Sequence, residues 1–199
     1  MADVPDRKRP RVYLAGPEVF LPDPMAAGRA KVALCAAAGL DGLFPLDAAL
    51  DLSGLDKHRQ ARSIAMANEG LMRSADCIIA NLTPFRGVSM DSGTAFEVGF
   101  MRALGRPVFG YTNVVEDFAV RARAYRAGAR IAGDCDRADI EVEDFDLAEN
   151  LMITEAIGAS GGGLVRRAGR HDALLEDLTA FEKSVEAVAA YFEVRPSQA

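Results

Sequence analysis

The segment Asp76-Cys77-Ile78-Ile79-Ala80-Asn81-Leu82 constrains the fold more than any other. It is apolar through its centre rather than alternating, the pattern of a parallel strand covered on both faces. Such a strand needs partners reached by crossover, and the flanking sequence supplies them. Arg11-Val12-Tyr13-Leu14-Ala15 reads as a short apolar strand that stops at the turn Gly16-Pro17. Gly42-Leu43-Phe44-Pro45 reads as a second extended piece, and Arg106 to Tyr111 as a further strand. Helical segments separate them. Pro24 to Ala38 is closed by Gly39 as a C′ residue. Asp56 caps a helix to about Ala75, with Ile64, Ala67 and Leu71 at helical spacing. Ser92 to Leu104 is closed by Gly105. A β-α-β-α-β-α-β order with right-handed crossovers predicts an α/β fold. The expected architecture is an open, doubly wound parallel sheet of about five strands, flavodoxin-like.

Beyond Thr112 the pattern weakens. A helix is expected near Glu116 to Ala127, and Ile140 to Val142 is the candidate fifth strand. Leu174, Leu178, Phe181, Val185, Val188 and Phe192 form an amphipathic stripe. They predict an added C-terminal helix over residues 171–193, packed on the body or on a partner. The chain reads as a single domain, 1–199, with residues 1–10 as a flexible tail.

Charge and composition exclude several classes. A formal net charge of -6 argues against binding nucleic acid polymers, whose affinity comes from neutralising phosphates with Lys and Arg. No apolar run approaches the ~20 residues that span a bilayer, and the N-terminus is polar where a signal peptide is apolar. No membrane association and a cytoplasmic location are the expectations. Cys35, Cys77 and Cys135 are odd in number and lack metal-ligand spacing. Cys35 and Cys77 read as small core residues. With only His58 and His171 available, neither a metal nor another cofactor is expected. Gly161-Gly162-Gly163 reads as a flexible turn, and Gly16-Pro17 lacks the spacing of a dinucleotide fingerprint.

In open parallel sheets ligands bind beyond the carboxyl ends of the strands. Three loops leave such ends: Tyr13 to Phe20, Pro45 to Asp51, and Asn81 to Asp91. The last runs into Asp91-Ser92-Gly93-Thr94-Ala95-Phe96-Glu97-Val98-Gly99. Gly93 and Gly99 each lower helix propensity by roughly 1 kcal/mol relative to Ala, which suggests close backbone approach. Glu97 falls in the second turn, where the helix N-terminus favours an ionised carboxylate. Two readings stay open at this point. Asp91 is either a cap or a ligand-binding carboxylate, and Glu97 is either a surface charge or a reactive group.

The set Val12 to Pro17, Ala75-Asp76 to Asn81, and Asp91 to Gly99 resembles the nucleoside 2-deoxyribosyltransferase family. Ala103-Leu104-Gly105-Arg106-Pro107-Val108 and Asn150-Leu151-Met152 fit it too, so the likeness runs from about residue 11 to 152 in order. The segment beyond Ile153 departs from the short ending of the best-known transferases. The resemblance implies that Glu97 is the glutamate forming a covalent glycosyl intermediate, and that Tyr13 holds and orients it. It implies that Asp91 lies near the nucleoside and handles the proton of the base. Asn68 matches a residue facing the base. Asn150 and Met152 match residues lent by a neighbouring subunit, which implies a homo-oligomer, dimer or hexamer, with sites shared between subunits. Gly16 and Gly93 join the substrate-binding set.

Those roles fit the chemistry of an N-glycosidic bond. The base leaves C1′ through an oxocarbenium-like state, which a carboxylate stabilises and traps, as in retaining glycosidases. The departing nitrogen needs a proton or hydrogen bond, from Asp91 or Asp47. Asp47 is equally a turn residue. Phe20 and Phe85 can stack on the base or anchor loops. The expected partners are nucleosides and nucleobases, and the expected reaction is transfer of the 2-deoxyribosyl group between bases. Hydrolysis of a nucleoside or nucleoside 5′-monophosphate at the same site is the alternative, with Ser160 as a candidate phosphate contact. A non-catalytic nucleotide-binding module is the third reading.

Overall fold

The computed structural model describes residues 9–46, 50–128 and 140–194; Asp47 and Cys135 lie outside them. Five parallel strands form one sheet: β1 (Arg11–Ala15), β2 (Asp41–Leu43), β3 (Cys77–Asn81), β4 (Val108–Thr112) and β5 (Leu164–Arg166). Their spatial order is β2-β1-β3-β4-β5, the flavodoxin-like arrangement. The chain turns from one side of β1 to the other between β2 and β3. In open sheets of this kind ligands bind at such a switch point, here beyond the carboxyl ends of β1 and β3.

Helices α1 (Pro24–Ala37), α2 (Lys57–Ser74), α3 (Ser92–Ala103), α4 (Phe118–Gly128), α5 (Leu151–Ala159) and α6 (Thr179–Val194) complete the fold. Alternation along the strands splits the core in two. Val12, Leu14, Cys77, Ile79, Phe109 and Tyr111 face one layer with Cys35 of α1 and Phe181, Val185 and Val188 of α6. Tyr13, Ala15, Ile78, Ala80 and Val108 face the other, with Met72, Val98, Met101 and Ile157 from α2, α3 and α5. Each fully buried large apolar side chain contributes about 1.5–3 kcal/mol of transfer free energy. Cys35 and Cys77 are free and buried, as small core residues are.

The start signals act as expected. Asp23, Asp56 and Asp91 each accept from a backbone N–H three residues on. Gly39 and Gly105 take positive φ just past α1 and α3.

Two elements differ from expectation. Ile140 to Val142 is not a strand, and the fifth strand is Leu164–Arg166. Glu143 draws the 140–144 segment away to cap α5, accepting from the Leu151 N–H at 2.5 Å and the Asn150 Nδ2 at 2.8 Å. The last helix begins at Thr179, not His171. Asp177 accepts from the Thr179 N–H at 3.0 Å, and Asn113 Nδ2 donates to the carbonyls of Leu174 and Asp177. Leu174 and Leu178 therefore lie in the segment before α6 rather than on it.

The glycine triplet is a turn, but a tightly packed one. Gly161 has φ +80°, and a Cβ on Gly162 would overlap the Val108 carbonyl. Ser160 has no free hydroxyl for a phosphate: it accepts from the Val108 N–H at 2.8 Å and donates to the Ile157 carbonyl at 2.7 Å.

Candidate active site

Tyr13 sits in the middle of β1, fully buried. Glu97 sits in the second turn of α3 and is half-buried. The Tyr13 hydroxyl donates to Glu97 Oε1 at 2.5 Å. Burial is the main influence on Glu97 and pushes its carboxyl from an ordinary 4.5 up to about 7; the Tyr13 hydrogen bond opposes the rise, and the Asp91 charge adds to it. The field of the helix N-terminus does not keep this carboxyl low, because desolvation outweighs it. Burial and the adjacent Glu97 charge together push the Tyr13 hydroxyl far up, so it stays a donor at any physiological pH.

Asp91 caps α3, its Oδ2 accepting from the Thr94 N–H at 3.0 Å and the Thr94 hydroxyl at 3.2 Å. Asp91 is therefore the cap of α3, and its charge lies near enough to Glu97 to act on it. A Cβ on Gly93 would come within 3.0 Å of Asp91 Oδ2, so the glycine leaves that carboxylate room. Gly99, in contrast, faces open space, and no close approach explains it.

The remaining expected residues fall into three groups. Asn68 lies on α2 with its side-chain oxygen buried and without a hydrogen-bond partner among the described residues. Phe20 and Phe85, from the loops after β1 and β3, stack on each other at 5.4 Å with planes 10° apart. Asn150 and Met152 lie at the start of α5. The Asn150 side chain is the cap of that helix, accepting from the Met152 N–H at 3.0 Å, and Met152 is 71% exposed. Asp47 lies outside the described residues.

Several contributors carry no sequence signal. Glu18 and Lys31 form an ion pair with both side chains 1% exposed. Glu18 Oε1 also accepts from Asn81 Nδ2 and the Tyr111 hydroxyl, each at 2.8 Å. This cluster ties the tips of β3 and β4 to α1 beneath the Gly16 turn. Gly16 is required there, because a Cβ would run into the Glu18 carboxylate. A cavity of about 340 Å³ opens beside this pair, lined by Leu21, Ala26, Ala30 and Leu178; it is separate from Tyr13, Asp91 and Glu97. Arg86, with φ 55°, lays its guanidinium 4.6 Å from the Phe85 ring and 4.9 Å from Phe20. Fully buried Glu149 pairs with Arg121 under the Asp91 loop. A charged residue inside an apolar context can signal such pairs, but only the fold says which are buried together.

Comparison with known proteins places the fold and the family. The model of a family described as nucleoside 2-deoxyribosyltransferase matches residues 12–152. An uncharacterized protein of Schizosaccharomyces pombe is 31% identical over 171 residues, 78% of this chain and 80% of that protein. Among solved structures, a 2-desoxiribosyltransferase from Leishmania mexicana is 29% identical with TM-score 0.60, covering 89% of this chain and 97% of its own. A conserved protein from Enterococcus faecalis V583 is 18% identical with TM-score 0.58, over 92% and 99% of the two chains, and shares the fold. The chain is an enzyme of the nucleoside 2-deoxyribosyltransferase family.

Proposed function

We propose that this enzyme moves a 2-deoxyribosyl group from one nucleobase to another, with Glu97 as the attacking carboxylate. The observation that carries the reading is the 2.5 Å hydrogen bond from Tyr13 to Glu97 at the sheet's switch point. A carboxylate that is to attack C1′ must be ionised, close and oriented. The Tyr13 donor meets the last two needs, and it favours the ionised form against burial. The Leishmania mexicana relative, a 2-desoxiribosyltransferase, supports the substrate class.

In this mechanism the C1′–N bond breaks with its electron pair going to the base, and a Glu97 oxygen bonds to C1′. Asp91, entering the step in its protonated form, gives its proton to the departing nitrogen and is left as carboxylate. An acceptor base then attacks C1′, Glu97 leaves as carboxylate, and Asp91 takes the proton from the incoming nitrogen. Asn68, with its unpartnered buried oxygen, receives a donor on the base. The Phe20–Phe85 stack offers an aromatic face to the base. The exposure of Met152 supports a homo-oligomer in which α5 reaches a neighbouring site.

Incubation with deoxyinosine, with and without adenine, tests the reading by chromatography. Deoxyadenosine formed only with adenine is the expected result. Free hypoxanthine in both tubes with no new nucleoside would instead assign water as the acceptor.

A further inference from the structure

The Glu149 side chain accepts four hydrogen bonds, one more than Glu18, yet it lies outside the group that meets the nucleoside. It is fully buried, and its hydrogen bonds run to the loop before Asp91, to the cap of α5 and to Arg121 of α4. Its Oε1 accepts from the Ser89 hydroxyl at 2.6 Å and from the Asn150 N–H at 3.0 Å. Its Oε2 accepts from the Met90 N–H at 3.1 Å and from Arg121 Nη2 at 3.2 Å. Arg121 is committed to the same place: its Nε donates to the Val88 carbonyl at 2.9 Å and its Nη2 to the Ala148 carbonyl at 2.9 Å. Three consecutive residues, Val88, Ser89 and Met90, are thus gripped by one buried ion pair. The next residue is Asp91.

A buried ion pair is an expensive way to hold a loop, since hydrophobic packing often does as well or better for stability. What the pair supplies is direction. Charge-assisted hydrogen bonds are short and strong, and they fix a backbone position more tightly than apolar contact does. Misplacement of a reacting group by about 1 Å costs on the order of a hundredfold in rate.

We propose that Glu149, held by Arg121, is a positioning residue for Asp91: it sets the end of the 83–90 loop so that the Asp91 carboxylate meets the nitrogen of the leaving or incoming base. The inference rests on the proton-transfer role given to Asp91 above. It separates Glu149 from a merely structural role, because a positioning residue acts through one group and its loss is invisible once that group is gone.

The test is a double-mutant cycle on turnover of deoxyinosine with adenine, normalised to folded enzyme by circular dichroism. Glu149→Gln is expected to lower kcat about tenfold or more with a smaller change in KM, and Asp91→Asn to lower it further. In the Asp91→Asn background, Glu149→Gln should then cost nothing more. It should likewise spare the release of 4-nitrophenolate from its 2-deoxyriboside, a first step that needs no proton. Ser89→Ala, which removes one loop contact and leaves the ion pair in place, should show the same pattern in milder form and serves if Glu149→Gln fails to fold. An equal loss from Glu149→Gln in both backgrounds would overturn the proposal and leave the role of Asp91 intact. An Asp91→Asn enzyme with unchanged kcat would overturn both.

Discussion

Tyr13 and Glu97 lie 84 residues apart in sequence and meet at 2.5 Å, the middle of β1 against the second turn of α3. The contact works in two directions. It holds the carboxylate in one orientation, and it lowers the cost of ionising a group that burial pushes up to about 7.

Removing the hydroxyl isolates that second effect. In Tyr13→Phe the hydrogen bond that lowers the Glu97 pKa is gone and burial remains, so the value rises above about 7. The acid limb of kcat/KM should move to higher pH, and on that limb the rate falls roughly tenfold for each pH unit the curve moves. Activity should suffer more at pH 6 than at pH 9. A pH–rate profile of the two enzymes checks this; parallel profiles would contradict it.

Wild-type kcat/KM should itself rise with pH through an acid limb near 7, because the free enzyme must present an ionised Glu97. The raised pKa has a stability consequence of the opposite sign. A carboxyl raised from 4.5 to about 7 favours folding while it is protonated. That contribution is full below 4.5 and is lost as pH rises through 7, with a span on the order of 3 kcal/mol. Glu97→Gln does not titrate. It should melt several degrees above wild type at pH 8, with the gap closing toward pH 5. Calorimetry at the two pH values decides it.

The Glu18–Lys31 pair sits where neither charge reaches water. Glu18→Ala strands a buried ammonium between the Tyr111 and Phe181 rings, 5.3 and 5.0 Å away. It should cost ~3–5 kcal/mol. Glu18→Gln with Lys31→Met should recover much of that, as urea unfolding would show.

Gly162 and Gly163 are neighbours with different demands. A Cβ on Gly162 overlaps the Val108 carbonyl, whereas one on Gly163 meets nothing within 4 Å. Gly162→Ala should loosen the docking of β5 and lower Tm by many degrees, as thermal unfolding followed by circular dichroism would show; Gly163→Ala should be close to neutral.

Where the sequence was readable, the reason is periodicity and punctuation. β3 is continuous and apolar because both faces are covered, and Asp23, Asp56 and Asp91 mark helix starts through the chemistry of an unsatisfied N–H. The same rules fail for β5. Three half-buried residues at a sheet edge are too short to show a period, while Ile140 to Val142 has strand-like composition but precedes Glu143, which is tied to the start of α5. The stripe through Leu174 and Leu178 predicts a longer α6 than forms, since Asp177 offers a competing cap. Of the candidate site, Tyr13, Asp91 and Glu97 were singled out through the family likeness. Lys31, set among alanines in α1, and Glu149, beside Asn150, were not. Burial of a charge is a property of the assembled fold, and no spacing within one element encodes it.

Turnover by Glu97→Ala bears most directly on the proposed chemistry. With deoxyinosine and adenine, at protein levels where wild type completes the exchange, the variant should keep its fold and lose at least ~10³-fold in deoxyadenosine formation. Full activity in that variant would show that the carboxylate at C1′ comes from elsewhere.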